Sequence, residues 1–158
     1  MRKIKAVKGR FSVLHTEKGT IIVDFAHTPE GLKNLLSTAR TITKSRLITL
    51  FGCGGERDKT KRAAMGKIAS KYSDYIILTS DNPRSEDAFD IIKQIEWGVT
   101  IKDVKCIVDR PEAVRFALSE MEEGDTLVLA GKGNENYLEI KGKKIPYSDF
   151  DMIARYAR

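Results

Sequence analysis

The sequence holds only two cysteines and two histidines. Cys53 and Cys106 lie in unrelated segments, without the spacing of a disulfide framework or a zinc site. His15 and His27 add too few ligands to revive a metal reading. No apolar run approaches the roughly 20 residues of a membrane span. The opening "MRKIKAVKGR" also lacks the apolar stretch of a secretory signal, so a cytoplasmic placement is expected. Repeat periods and low-complexity tracts are absent, as are both familiar phosphate fingerprints, G-x-x-x-x-G-K-[ST] and G-x-G-x-x-G. The net charge of +6 comes with no aromatic-interleaved basic patch and no reader of nucleic acid. It suits solvated helix faces, or a site for phosphates and carboxylates.

What remains is 158 residues, 41% of them hydrophobic, enough for one compact core and too few for two comfortable ones. Strands are expected at 11–15, 20–25, 46–51, 75–79, 104–108, 125–130, 136–140 and 143–147. Helices are expected over 29–43, 60–72, 87–96, 111–122 and 148–156. Thr28-Pro29-Glu30 has the grammar of an N-cap followed by proline at the first helical position, and Asp109-Arg110-Pro111-Glu112 repeats it loosely. The interior strands are continuously apolar rather than alternating, as in a parallel sheet covered on both faces. The fold class is therefore α/β: a Rossmann-like, doubly wound, mostly parallel sheet with helices on both faces. A hairpin over "EKGT" opens it and a terminal β-hairpin over "KGKK" closes it.

In such sheets ligands bind beyond the carboxyl ends of the strands. Four polar loops occupy that place: "DFAHTPEG" (24–31), "GCGGERDKTKR" (52–62), "TSDNPRSED" (79–87) and "GKGNE" (131–135). In "DNPR", Pro83 stiffens the turn, Asn82 offers a donor and an acceptor, and Arg84 offers a planar fork. That mixture suits an amino-acid zwitterion, although a plain proline turn would use the same residues. Arg57 suits a carboxylate or phosphate if it has company. Gly131 and Gly133 allow close backbone approach, and Glu135 can receive an ammonium. Asp24 is a ligand contact or a structural carboxylate, Phe25 a stacking surface, and His27 a polar contact or a cap. Cys53 reads as a small buried thiol, because no histidine partner stands by it.

Taken in order, "GRF" (9–11), "VDFAHTPEGL" (23–32), "LFGCGGERDKTKRAAMGKIA" (50–69), "TSDNPRSED" (79–87), "DR" (109–110) and "LAGKGNE" (129–135) resemble the C-terminal domain of Mur ligases, most closely the MurE type. The resemblance implies a ligase of cytoplasmic peptidoglycan synthesis. ATP activates the D-glutamate carboxylate of UDP-MurNAc-L-Ala-D-Glu as an acyl phosphate, and the amine of an incoming amino acid displaces phosphate. By matching motifs, Arg57, Asn82, Arg84, Gly131 and Glu135 would hold that amino acid, and Arg10, Asp24, Phe25 and His27 would lie against ATP. The "DNPR" form goes with meso-diaminopimelate; lysine-adding enzymes usually carry another residue where Arg84 stands. Phe25 and Asn134 depart from the tyrosine and histidine of the family's "DYAHTP" and "GKGHE".

The resemblance also implies what the chain would work with. Residues 1–158 read as one C-terminal domain, with 1–10 as the hinge from a central domain that would bring the phosphate-gripping loop and the Mg²⁺ ligands. An N-terminal domain would bring the UDP-sugar site. No metal ligand and no catalytic residue is expected in this chain, which should fold alone and not catalyse. Nucleic acid and membrane are not expected partners. The rival expectations are a lysine-adding or other Mur-type domain, and a non-catalytic ligand-binding module.

Overall fold

Each interior strand sends its side chains alternately to two separate cores. Ile22, Phe51, Ile76, Leu78 and Val128 lie in one. Ile21, Val23, Ile48, Leu50, Ile77, Leu127 and Leu129 lie in the other. A strand that is apolar at every residue is thus buried on both faces, which explains the missing polar alternation.

The computed structural model describes residues 2–3 and 8–157. Its elements are β1 (Arg2–Lys3), β2 (Ser12–His15), β3 (Gly19–Asp24), α1 (Pro29–Ile42), β4 (Leu47–Phe51), α2 (Thr60–Tyr72) and β5 (Tyr75–Leu78). After these come α3 (Ala88–Glu96), β6 (Val104–Cys106), α4 (Arg110–Glu120), β7 (Asp125–Ala130), β8 (Tyr137–Ile140), β9 (Lys143–Pro146) and α5 (Asp149–Tyr156). Every expected strand and helix forms. The capping grammar holds too: Thr28 accepts from Gly31 N ahead of Pro29, and Asp109 accepts from Glu112 N. The α/β, doubly wound, mostly parallel expectation stands. The addition is β1, which pairs antiparallel with β2 and puts part of the expected hinge into the sheet. Residues 1 and 4–7 of that hinge lie outside the described residues.

The sheet runs β1-β2-β3-β7-β4-β5-β6. Its first three strands are antiparallel and the remainder, from β3 onward, is parallel. Helices α1, α2 and α3 supply residues to one core, and α4 and α5 supply the other. The chain winds outward through β4, β5 and β6, then returns so that β7 inserts between β3 and β4. The carboxyl ends of β3, β7, β4 and β5 therefore stand side by side on one rim. Among the described residues, no helix is long and apolar enough to cross a membrane.

The hairpin β8–β9 stays out of the main sheet. It touches the rim through a parallel bridge between Ile140 and Arg84.

Candidate functional site

The glycines of "GCGG" serve close backbone contact. A Cβ on Gly52 would lie 2.1 Å from Thr79 O, and one on Gly55 would lie 1.9 Å from Pro83 O. The loop after β4 can therefore lie flat on the loop after β5, where Gly55 N donates to Asn82 O at 2.8 Å. Arg62, fully buried on α2, bolts the two loops together: its guanidinium donates to Gly54 O and to both oxygens of Glu86. Glu86 also accepts from Glu56 N. These bonds, Arg62 foremost, hold its carboxyl at about 2 against an ordinary 4.5.

A depressed carboxyl stabilises the fold fully above its ordinary pKa and loses that contribution as pH falls toward the folded value. Between about pH 4.5 and 2, the Glu86→Gln variant should therefore lose less stability on acidification than the parent. Parallel acid-unfolding curves in that window would contradict the role.

Between the four loops lies a cleft of about 390 Å³. Arg57 and Arg84 flank Gly54 on one side of it, with a Cβ on Gly54 falling 2.9 Å from Arg84 Nη1 and 3.4 Å from Arg57 Cγ. Asp81, Gly131 and Glu135 also line it, with a Cβ on Gly131 falling 3.4 Å from Asp81 Oδ2. Phe25 and His27 complete the lining, their rings edge-to-face with centroids 4.9 Å apart. Seven of the nine residues singled out from the sequence thus share one cavity.

The other two do not line it. Asp24 spends its carboxylate on Phe11 N at 2.6 Å and Ala26 N at 2.8 Å, latching the segment before β2 to the turn after β3. Arg10 is exposed beside that latch. The neighbouring "GKGNE" loop comes close as well: a Cβ on Gly9 would meet Asn134 N at 2.4 Å.

Lys132 is the residue that sequence reasoning passes over. It is fully buried, and its ammonium donates to Asn82 Oδ1 at 2.6 Å, Tyr137 O at 2.7 Å and Glu135 Oε1 at 3.0 Å. Asp81 Oδ1 lies 3.4 Å away. One cation thus spaces two carboxylates that would otherwise repel, and the trio keeps one net negative charge for the cleft. Asn82 lines the cleft and is tied into the same network. Its amide oxygen is taken by Lys132 and by Glu139 N, and its nitrogen lies 3.3 Å from Glu135 Oε1. It braces the acidic side chains. The hint of Lys132 in the sequence is a charged residue two positions past a strand, β7, that is buried throughout.

Cys53 is the small buried thiol expected. It contacts Met65 Sδ at 3.7 Å, and burial pushes its pKa up to about 12, the opposite of an activated nucleophile. The cleft brings Arg57, Arg84 and Lys61 together with Asp58, Asp81 and Glu135, a mixture of charges complementary to a zwitterion.

Comparison with known proteins agrees with this architecture. Residues 9–133 match the family described as Mur ligase, glutamate ligase domain. A curated relative, UDP-N-acetylmuramoyl-L-alanyl-D-glutamate--2,6-diaminopimelate ligase of Aquifex aeolicus (strain VF5), is 51% identical over 148 residues, covering 93% of this chain and 31% of the relative. The enzyme of the same name from Syntrophomonas wolfei is 46% identical, over 100% of this chain and 33% of its own length. A solved structure of a ligase of that name superposes with a TM-score of 0.90 at 36% identity, over 97% of this chain and 32% of that one. A bifunctional folylpolyglutamate synthase/dihydrofolate synthase from Yersinia pestis shares only the fold, at 20% identity, a TM-score of 0.63 and 80% coverage of this chain against 28% of its own. The chain spans about a third of the length of the curated relatives it matches. It belongs to the Mur ligase family, whose glutamate ligase domain it carries over residues 9–133.

Proposed function

We propose that this chain is the amino-acid-receiving domain of a diaminopimelate-adding ligase that forms an amide bond at the expense of ATP in peptidoglycan synthesis. The observation that carries the reading is the single cleft lined by Arg57 and Arg84 together with Asp81, Gly131 and Glu135. Diaminopimelate bears an amino-acid zwitterion at each end. One end offers its carboxylate to the guanidinium groups and its ammonium to the acidic side chains, and the amine of the other end is left free to attack. Lysine has no second carboxylate, so a guanidinium aimed at that group separates the two substrates.

ATP, when bound, would supply the phosphoryl group that activates the acceptor carboxylate. The residues present fit a supporting part at its edge: Phe25 offers a ring for stacking, His27 stands beside it, and Lys61 Nζ reaches His27 O at 3.0 Å. Asp24 acts by fixing the turn that presents Phe25, and Arg10 borders the same turn. Among the described residues no three His, Cys, Asp or Glu side chains converge on a metal-sized site, and Mg²⁺ ligands are expected in a central domain. The central and N-terminal domains, the UDP-MurNAc-L-Ala-D-Glu acceptor and a cytoplasmic setting belong to the same proposal.

Arg84→Ala in the complete ligase tests it. Hydrogen bonds between charged groups contribute about 1.5–3 kcal/mol, and about 1.4 kcal/mol is tenfold in affinity. The diaminopimelate KM should rise roughly ten- to a hundredfold, with inhibition by lysine little changed. An unchanged KM refutes the assignment.

A further inference from the structure

Arg84 occupies the left-handed region at φ 54°, which disfavours a residue with a side chain. Strand β8 holds it there. Arg84 N donates to Glu139 O at 2.9 Å, and Lys141 N donates to Arg84 O at 2.7 Å. The guanidinium is fixed as firmly as the backbone. Nη1 donates to Gly55 O at 2.8 Å and to Asn82 O at 3.3 Å, and Nε lies 3.3 Å from Glu139 Oε1. Among the described residues Nη2 makes no hydrogen bond, so one amino group of this cleft-lining fork keeps its donors unspent.

Glu139 therefore touches Arg84 twice, through its backbone carbonyl and through its carboxylate. It reaches the rim from a hairpin outside the main sheet, and its side chain is 30% exposed. A partly exposed acid paired with a cleft-lining arginine is not explained by packing. It does remove rotamer freedom from a long side chain, and a fork already in position loses less entropy when a carboxylate arrives.

We infer that Glu139 is a positioning residue for amino-acid selectivity: it locks the Arg84 fork so that the Nη2 edge meets the second carboxylate of a diamino dicarboxylic acid. This rests on the amino-acid-receiving reading above. An amino acid without that carboxylate takes nothing from the fork, so the clamp works on the difference between ligands.

The test is a double-mutant cycle in the complete ligase, with KM and kcat for diaminopimelate and inhibition by lysine measured for Glu139→Ala, Arg84→Ala and the pair. Glu139→Ala should raise the diaminopimelate KM about two- to tenfold, the scale of freeing one rotamer-rich side chain, with kcat within about twofold and lysine inhibition unmoved. On the Arg84→Ala background it should add nothing. A KM that is unchanged or lower, an equal loss toward lysine, or additive effects in the pair would each overturn the inference. If Arg84→Ala itself has no effect, the amino-acid reading falls with it; if only Glu139→Ala is silent, that reading stands and the clamp alone is lost.

Discussion

Lys132→Met is expected to cost about 3 kcal/mol of folding stability and to abolish measurable amino-acid binding at the same time. The ammonium is completely buried, yet four acceptors converge on it: an amide oxygen, a main-chain carbonyl and two carboxylates. A methionine fills the stem volume and satisfies none of them. Breaking a fully buried ion pair costs about 3–5 kcal/mol, and the lower end applies here because the carboxylates border a cleft that water can enter. Asp81 is 11% exposed at its side chain and Glu135 23%. Urea unfolding checks the stability half, as a lower midpoint at unchanged slope. Calorimetric titration of the complete ligase with diaminopimelate checks the other half. A loss below about 1 kcal/mol, the scale of an ordinary hydrogen bond, would show that the two carboxylates stand without their lysine.

The place of the site is legible in the sequence, and its internal wiring is not. Strand-terminal loops can be identified because β3, β4, β5 and β7 are each built on a mainly apolar run that gives way to a polar or glycine-rich segment. That these four ends stand together depends on β7 inserting between β3 and β4, a choice made by long-range pairing that no local pattern encodes. Arg57 and Glu135 can be singled out only through the company of the neighbouring loops, since a charged residue in a loop is ordinarily solvated. Lys132 cannot, since a lysine between glycines looks solvated until the buried strand before it is taken into account. Glu139 escapes for the opposite reason: in "NYLEI" an acid on an exposed strand face is ordinary, and only the bridge to Arg84 makes it otherwise. The glycines of "GCGG" suggest a phosphate cradle by composition, and steric contact with residues 79–83 accounts for Gly52 and Gly55 instead, with Gly54 making room for the Arg57 and Arg84 side chains. Residue type predicts what a group can do. Tertiary contact decides what it is doing.

Arg110→Met and Asp149→Asn are each expected to destabilise the chain by about 3–5 kcal/mol, the largest single effects in the molecule. Both side chains are completely buried, and the pair is bidentate: Nε to Oδ1 at 3.1 Å and Nη2 to Oδ2 at 2.9 Å. Burial alone would favour the neutral arginine, but the Asp149 charge overcomes it and holds Arg110 protonated. Tyr147 OH donates to Asp149 Oδ1 at 2.5 Å, and burial together with that charge pushes the phenol far above its ordinary range. The remaining guanidinium donors reach Ser80 O at 3.0 Å and Ala130 O at 3.4 Å. One buried arginine thus joins the first turns of α4 and α5 to the ends of β5 and β7, directly under Asp81 and Gly131. Removing either partner strands the other charge in the interior, whereas removing both strands neither. The Arg110→Met/Asp149→Asn double variant should therefore be more stable than the sum of the two single losses predicts, by at least about 2 kcal/mol. Thermal unfolding resolves this, because about 1 kcal/mol moves Tm by roughly 2–4 °C in a chain of this size. Strict additivity would mean that the two residues act separately, and that the floor of the cleft is held by packing of the flanking helices instead.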